Sequence, residues 1–289
     1  MLYLCPTPIG NLQDITLRAI EVLGSVELIA CEDTRRTKIL LERHGISARL
    51  VSFHDHNEDQ RLQKLLPLLR EDKDIAVVSD AGMPGLSDPG FTLVRACAAE
   101  GLPVTVLPGA SAVSTALVLS GLPCDRFAFV GFLARSKSKL VEQISAFDGT
   151  GAALVAFESP RRLRSSLAAM GERWPYRRLA VCRELTKVHE EAVRGTATEV
   201  LERLTDPVRG EIVVVLEPTE SSAWARAASD AGRAHVPGLD ETVLFTLRGL
   251  MDAGIGVKKA SGAVAELTGL PSRRLYDACL GLKGVGDER

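Results

Sequence analysis

The residues with the widest chemical scope in this chain stand where short apolar runs end. Asp80 lies in Ser79-Asp80-Ala81-Gly82-Met83-Pro84-Gly85-Leu86-Ser87-Asp88-Pro89-Gly90, after the run 75–78 and before 91–97, which has helical spacing. Three glycines and two prolines in that stretch stop either regular structure and favour a defined loop. Pro8, Gly10, Asp33, His54 and Ser111 also follow short apolar runs. A carboxylate or neutral imidazole at such a position can take a proton, and glycine-rich backbone can hold a small polar ligand. In the second half, Glu158 stands in Phe157-Glu158-Ser159-Pro160-Arg161-Arg162. Glu184 and Lys187 stand in Arg183-Glu184-Leu185-Thr186-Lys187, followed by His189-Glu190-Glu191. Such alternating acids and bases form either a salt-bridged surface loop or the lip of a substrate site.

Elements that position these residues are legible in the hydrophobic pattern. Strands are expected at 2–5, 26–31, 50–53, 74–78 and 104–107, with helices between them near 15–23, 38–44, 58–69 and 91–97. Five strand–helix alternations in about 120 residues predict a parallel sheet wrapped by helices, whose strand-end loops converge on one rim. A second module follows Gly121-Leu122-Pro123, with strands at 127–132, 153–157, 179–182 and 212–216 and helices near 139–147, 161–170 and 198–204. Its irregular connections predict a mixed sheet. Residues 218–238 turn to Ser, Ala, Pro and Gly and read as a linker. Beyond them, 239–252, 257–267 and 272–282 read as three helices. The turn Thr268-Gly269-Leu270-Pro271, flanked by Lys258, Lys259, Arg273 and Arg274, fits a helix-turn-helix. The expected domains are therefore 1–117, 118–217 and 239–289.

The chain has 289 residues, of which 46% are hydrophobic, enough for a sizeable core. No stretch approaches eighteen apolar residues, and the first residues lack the basic start of a signal peptide, so a cytoplasmic protein without a membrane partner is expected. Six scattered cysteines without CxxC pairs read as structural thiols, and no metal site is expected. A net charge of −2 excludes a blanket nucleic-acid coat, yet residues 131–195 hold 12 Lys and Arg against 7 Asp and Glu. That excess allows a local phosphate-binding face. Neither GxxxxGK[ST] nor GxGxxG occurs, and Ser111 lacks the GxSxG elbow, which leaves a small polar ligand held by backbone groups.

Six stretches carry a resemblance: Thr7–Leu12, Cys31–Arg35, Ser79–Gly85, Pro108–Ala112, Phe157–Pro160 and Arg183–Lys187. Together they resemble the tetrapyrrole-methylase superfamily, and within it the branch that 2′-O-methylates a cytidine of 16S ribosomal RNA in the small ribosomal subunit. The resemblance spans about residues 1–217 strongly and the helical tail moderately. It implies an α/β fold of two domains with an S-adenosylmethionine cleft between them, a small C-terminal helical domain and a homodimer. Carried over by motif, the methyl donor should meet Pro8, the backbone at Ser79 and Asp80, Met83, Ser111, Ala112, Glu158 and Gly195. Asp33 is then the first candidate for the base that deprotonates the ribose hydroxyl, with His54 assisting, and Glu184 and Lys187 orient ribose or phosphate. Two other readings are a porphyrinoid C-methyltransferase and a non-catalytic RNA-binding assembly factor. Only 4% aromatic content to stack on a macrocycle disfavours the first, and the intact Asp80 loop disfavours the second.

Overall fold

A computed structural model describes residues 1–54, 57–219, 241–268 and 270–284. The chain divides into two compact units, Met1–Ala225 and Arg226–Arg289. The larger contains two five-stranded sheets. In the first, β1 (Leu2–Leu4), β2 (Leu28–Cys31), β3 (Leu50–Ser52), β4 (Ile75–Val78) and β5 (Val104–Val106) lie in the order β3-β2-β4-β1-β5. Every pairing is parallel, as the strand–helix alternation predicts. Both β2 and β4 are buried along their whole length, which is why they read as continuous apolar runs rather than alternating ones. The helices α1 (Leu17–Ser25), α2 (Thr34–Arg43), α3 (Glu58–Arg70) and α4 (Phe91–Ala99) connect them. From β1 the chain crosses to β2 on one side, and from β4 it crosses to β5 on the other. The neighbouring ends of β1 and β4 therefore mark a topological switch point, where open α/β sheets form a crevice.

The second sheet is built from β6 (Phe127–Phe132), β7 (Ala153–Glu158), β8 (Arg178–Arg183), β9 (Glu191–Thr196) and β10 (Ile212–Leu216), in the order β6-β7-β10-β8-β9. Its β6–β7 pair is parallel and the others antiparallel, so the sheet is mixed as expected. One strand, β9, has no counterpart among the expected strands, because it sits at the sheet edge and alternates charged with small residues. The helices α6 (Lys137–Ser145), α7 (Pro160–Arg173) and α8 (Ala197–Arg203) cover one face of this sheet. The other face is covered by α5 (Ala112–Ser120), although α5 follows the last strand of the first sheet. Its Val113, Ala116 and Leu117 share a core with Val155, Ala180, Val213 and Val215, and Ile9 from the loop after β1 joins them. That shared core couples the two sheets, and the expected boundary at 117/118 falls inside α5.

In the smaller unit, α9 (Glu241–Asp252), α10 (Val257–Thr268) and α11 (Ser272–Gly284) enclose Val243, Leu247, Ala260, Val264, Leu275, Ala278 and Cys279. Among the described residues of this unit three helices stand where three were expected; most of the expected linker lies outside the described residues. No helix among the described residues is long and apolar enough to cross a membrane.

The basic excess of 131–195 is largely spent inside the fold. Arg162 donates to the Leu133 carbonyl and pairs with Glu158, Arg164 donates to the Leu204 carbonyl and to Asp206, and Arg194 to the Ser120 carbonyl. Arg177, only 6% exposed, pairs with Asp148 at 3.2 Å and donates to the Glu217 carbonyl. Burial pushes its guanidinium pKa down against the charges of Asp148 and Glu217. Arg177→Ala, which leaves Asp148 without its cation, should therefore lower unfolding free energy by about 3 kcal/mol in urea titration. Lys139→Ala, exposed on α6, should shift it by less than about 0.5 kcal/mol; equal effects would refute the structural role.

Candidate active site

The site grows from backbone pairing between the loops after β1 and β4. Thr7 N–H donates to the Gly82 carbonyl at 2.9 Å and Gly82 N–H returns to the Thr7 carbonyl at 3.0 Å, an isolated antiparallel bridge between two parallel strands' exits. The Thr7 hydroxyl donates to the Ser79 carbonyl and the Ser79 hydroxyl to the Gly82 carbonyl, both buried. Gly82 has φ +84°, a conformation that glycine adopts without strain. Further along, Gly85 N–H closes on the Pro89 carbonyl and Glu58 accepts the Gly90 N–H, so the twelve-residue loop is tied at several points. On the other side of β1, Gly109 packs so closely that a Cβ there would lie 2.9 Å from Pro6.

The opposite wall comes from the second sheet. After β8, Glu184 and Thr186 take positive φ values of 52° and 65°, costly for side-chain-bearing residues and held by a tight cluster. Lys187 Nζ reaches Glu184 and Glu211 at 2.9 Å each, and Glu211 N–H donates to the Glu184 carboxylate at 3.0 Å. The hydrogen bond from Lys187, then that from the Glu211 backbone, holds Glu184 below the usual carboxylate range. Burial pulls Lys187 down, but its hydrogen bonds with Glu211 and Glu184 and their charges outweigh it and leave the amine raised. Gly10 presses against this wall. A Cβ on it would stand 2.6 Å from Lys187 Cγ, 2.7 Å from Thr186 Oγ1 and 2.8 Å from the Leu185 carbonyl. Asn11 N–H donates to Thr186 Oγ1 at 3.0 Å.

Between these walls lies a cavity of about 330 Å³, lined by Thr7–Gly10, Leu12, Ser79–Ala81, Lys187, Glu211 and the α2 face of Arg36, Thr37, Ile39 and Leu40. Of the residues expected from sequence, the structure brings Pro8, Ser79, Asp80 and Lys187 together here, with Glu184 bonded to Lys187 behind the wall. Arg36 was missed, since it precedes the helix expected at 38–44. The signal was present: Asp33 is an N-cap, and α2 begins at Thr34.

The other expected residues have different surroundings. Both carboxylate oxygens of Asp33 are occupied: Oδ1 accepts the Arg35 N–H and Nε–H, and Oδ2 pairs with Arg35 at 2.8 Å. Arg35, by side chain and then backbone, holds the Asp33 pKa at about 2, and Asp33 does not line the cavity. His54 caps the end of β3, its ring within 3.1 Å of Asn57 Nδ2, and also lies outside the lining. The Glu158 carboxylate, 0% exposed, is bound by Arg162, the Ser166 hydroxyl and the Ser159 N–H, which makes it an anchor for α7. Gly195 is needed by the capping box of α8, where a Cβ would lie 2.7 Å from Glu199. Ser111 stands at the N-terminus of α5, its carbonyl accepting from Thr115, and Ala112 begins that helix. Met83 is half-buried within the Asp80 loop.

Residues 1–201 match the tetrapyrrole (corrin/porphyrin) methylases. The chain belongs to this family. Among its relatives is a protein named Ribosomal RNA small subunit methyltransferase I from Escherichia coli O157:H7, 41% identical over 291 residues, covering 98% of this chain and 96% of that one. The protein of the same name from Micromonospora olivasterospora is 44% identical, covering 96% and 85%. A third, from a Hydrogenobaculum strain, is 48% identical over 74% of this chain and 94% of its own. Among solved structures, diphthine synthase aligns with a TM-score of 0.59 over 75% of this chain and 89% of its own, at 14% identity. A cobalt precorrin-4 methyltransferase aligns with a TM-score of 0.55 over 75% and 94%, at 15% identity. At these identities the solved structures speak for the fold.

Two outcomes test the architecture of the site. Gly10→Ala should lower stability by about 1–3 kcal/mol in thermal melts, because the Leu185 carbonyl cannot swing aside. The Glu184–Lys187 contribution has a defined pH window. A lowered carboxylate contributes above its unfolded pKa of about 4.3 and loses that contribution as pH falls through the folded value. A raised amine contributes below its unfolded pKa of about 10.4 and loses it as pH rises. The stability gap between wild type and the double variant Glu184→Gln, Lys187→Met should thus be flat between these limits and shrink outside them. A gap that grows in acid would refute the pairing.

Proposed function

We propose that this chain 2′-O-methylates a cytidine ribose in small-subunit ribosomal RNA, using S-adenosylmethionine. Identity of about 40% to relatives named Ribosomal RNA small subunit methyltransferase I, running through nearly the whole chain, is the observation that carries the reading. The cavity is consistent with it: about 330 Å³ lies within the range of small-molecule sites, roughly 300–1,000 Å³. Its floor offers backbone groups of Thr7–Gly10 and Ser79–Ala81, and the lining includes the carboxylate of Glu211. Those segments would hold the methyl donor, with Met83, Ser111 and Ala112 on the flanking loops. When bound, the donor supplies an electrophilic methyl group on a sulfonium.

The chain's own task is to present the ribose oxygen in line and to remove its proton. Exposed Lys258, Lys259 and Arg273 on α10 and α11, with Lys139 and Arg161 on the larger unit, present cations to phosphates. An assembled or partly assembled small subunit, rather than a short strand, is the substrate this arrangement favours. A cytoplasmic homodimer is the working state we propose; Phe91, Phe127 and Phe132 are each exposed.

The test is transfer of labelled methyl groups to small subunits that lack the modification, followed by nucleoside analysis. Label in a cytidine ribose is expected, falling as salt rises because phosphate contacts release counterions. Label in a porphyrinoid and none in RNA would overturn the assignment.

A further inference from the structure

With Asp33 committed to Arg35, the proton acceptor must be sought among carboxylates that face the cavity. The lining holds two, Asp80 and Glu211. Glu211 is 66% exposed and tied to Lys187 at 2.9 Å. Asp80 is 21% exposed, and its two oxygens are treated differently. Oδ1 accepts the Asp33 backbone N–H at 2.9 Å, which fixes the orientation of the carboxylate. Asp80 lines the cavity, and its Oδ2 pairs with Arg36 Nη1 at 3.3 Å.

That ion pair is loose by comparison with its neighbour. Arg35 grips Asp33 through two parallel contacts of 2.8 and 3.1 Å, whereas Arg36 makes a single longer one and is 65% exposed. The cations lining the cavity are Arg36 and Lys187, and Lys187 is already held by two glutamates. A phosphodiester presents two oxygens in the geometry that a guanidinium fork binds best.

We propose that Asp80 is the base for the ribose hydroxyl and that Arg36 is the arm that exchanges Asp80 for a phosphate of the incoming strand. This deepens the RNA methyltransferase reading and rests on it. Without RNA, Arg36 occupies Oδ2. When the phosphate draws Arg36 away, Oδ2 is open to the ribose hydroxyl. Oδ1 stays anchored to the N-terminus of α2. The balance of the step is simple: the hydroxyl proton passes to Asp80 Oδ2 as the ribose oxygen bonds the methyl carbon. The carbon–sulfur bond breaks with its electron pair left on sulfur, and the products are a methyl ether and a neutral thioether. Oδ2 is thereby opened only where a nucleotide is seated.

Steady-state kinetics on small ribosomal subunits separate the two roles, with calorimetric S-adenosylmethionine binding and thermal melting as controls. Asp80→Asn keeps an oxygen for the Asp33 N–H, so cofactor affinity and melting should hold, while kcat falls at least 100-fold with KM for the subunit changed less than threefold. Arg36→Ala should raise that KM about tenfold, change kcat less than threefold and reduce the salt slope of binding by about one. Arg36→Lys should recover part of the KM. Near-normal turnover of Asp80→Asn overturns the base, and an unchanged KM in Arg36→Ala overturns the arm. If Asp80→Asn fails to fold, Asp80→Glu, which displaces the carboxylate by a methylene, should cut kcat about tenfold; an unchanged kcat overturns the base. Wild-type protein that labels no RNA overturns both the substrate reading and this assignment. Wild type that labels RNA while both variants match it overturns this assignment alone.

Discussion

Two backbone hydrogen bonds between Thr7 and Gly82 are the constraint on which the site depends. Parallel neighbours such as β1 and β4 have no reason to keep their exits together, because their connections leave in opposite directions. The Thr7–Gly82 bridge, backed by the two buried hydroxyls of Thr7 and Ser79, closes that divergence after two residues. It satisfies polar backbone that would otherwise be stranded at the edge of a buried sheet. It also places the Asp80 side chain over the start of α2, where the Asp33 N–H is available to orient it.

The second wall is set by volume rather than by bonding. Gly10 lies so near the Leu185–Lys187 segment that no larger residue fits, and Ile9 beside it enters the core of the second sheet. Packing thus brings the β8 exit loop to the rim of the first sheet, although some 175 residues separate Asn11 from Thr186. The strained φ values of Glu184 and Thr186 are tolerated because Lys187, Glu211 and Glu190 over-determine the loop.

Charge is distributed by the same logic. Arginines of the second sheet cap carbonyls at helix and strand ends, where a planar fork satisfies several acceptors at once. The thiols of Cys5 and Cys182 are equally interior: burial pushes Cys5 up to about 12 and Cys182 up to about 11, which leaves them inert fillers. At the cavity the pattern changes, and Arg36 remains exposed over a single weak partner.

Much of this was legible before any coordinates. Buried strands betray themselves by unbroken β-branched runs, and the Asp80 loop by glycines and prolines that no regular element accepts, so the sequence alone determined the parallel first sheet, the mixed second sheet, the three terminal helices and the importance of the strand exits. Six ordered motifs pointed to the methylase family for the same reason: each is a stretch in which backbone conformation, not just polarity, restricts the residue. What tertiary structure alone decided is which of these positions are tied into the fold's own contacts. Asp33, Glu158 and Gly195 look alike with Asp80 in a string of letters, but the first is locked by Arg35, the second by Arg162 and Ser166, and the third by the Glu199 cap. Pairing is settled by distances across the fold, and sequence patterns carry only distances along the chain.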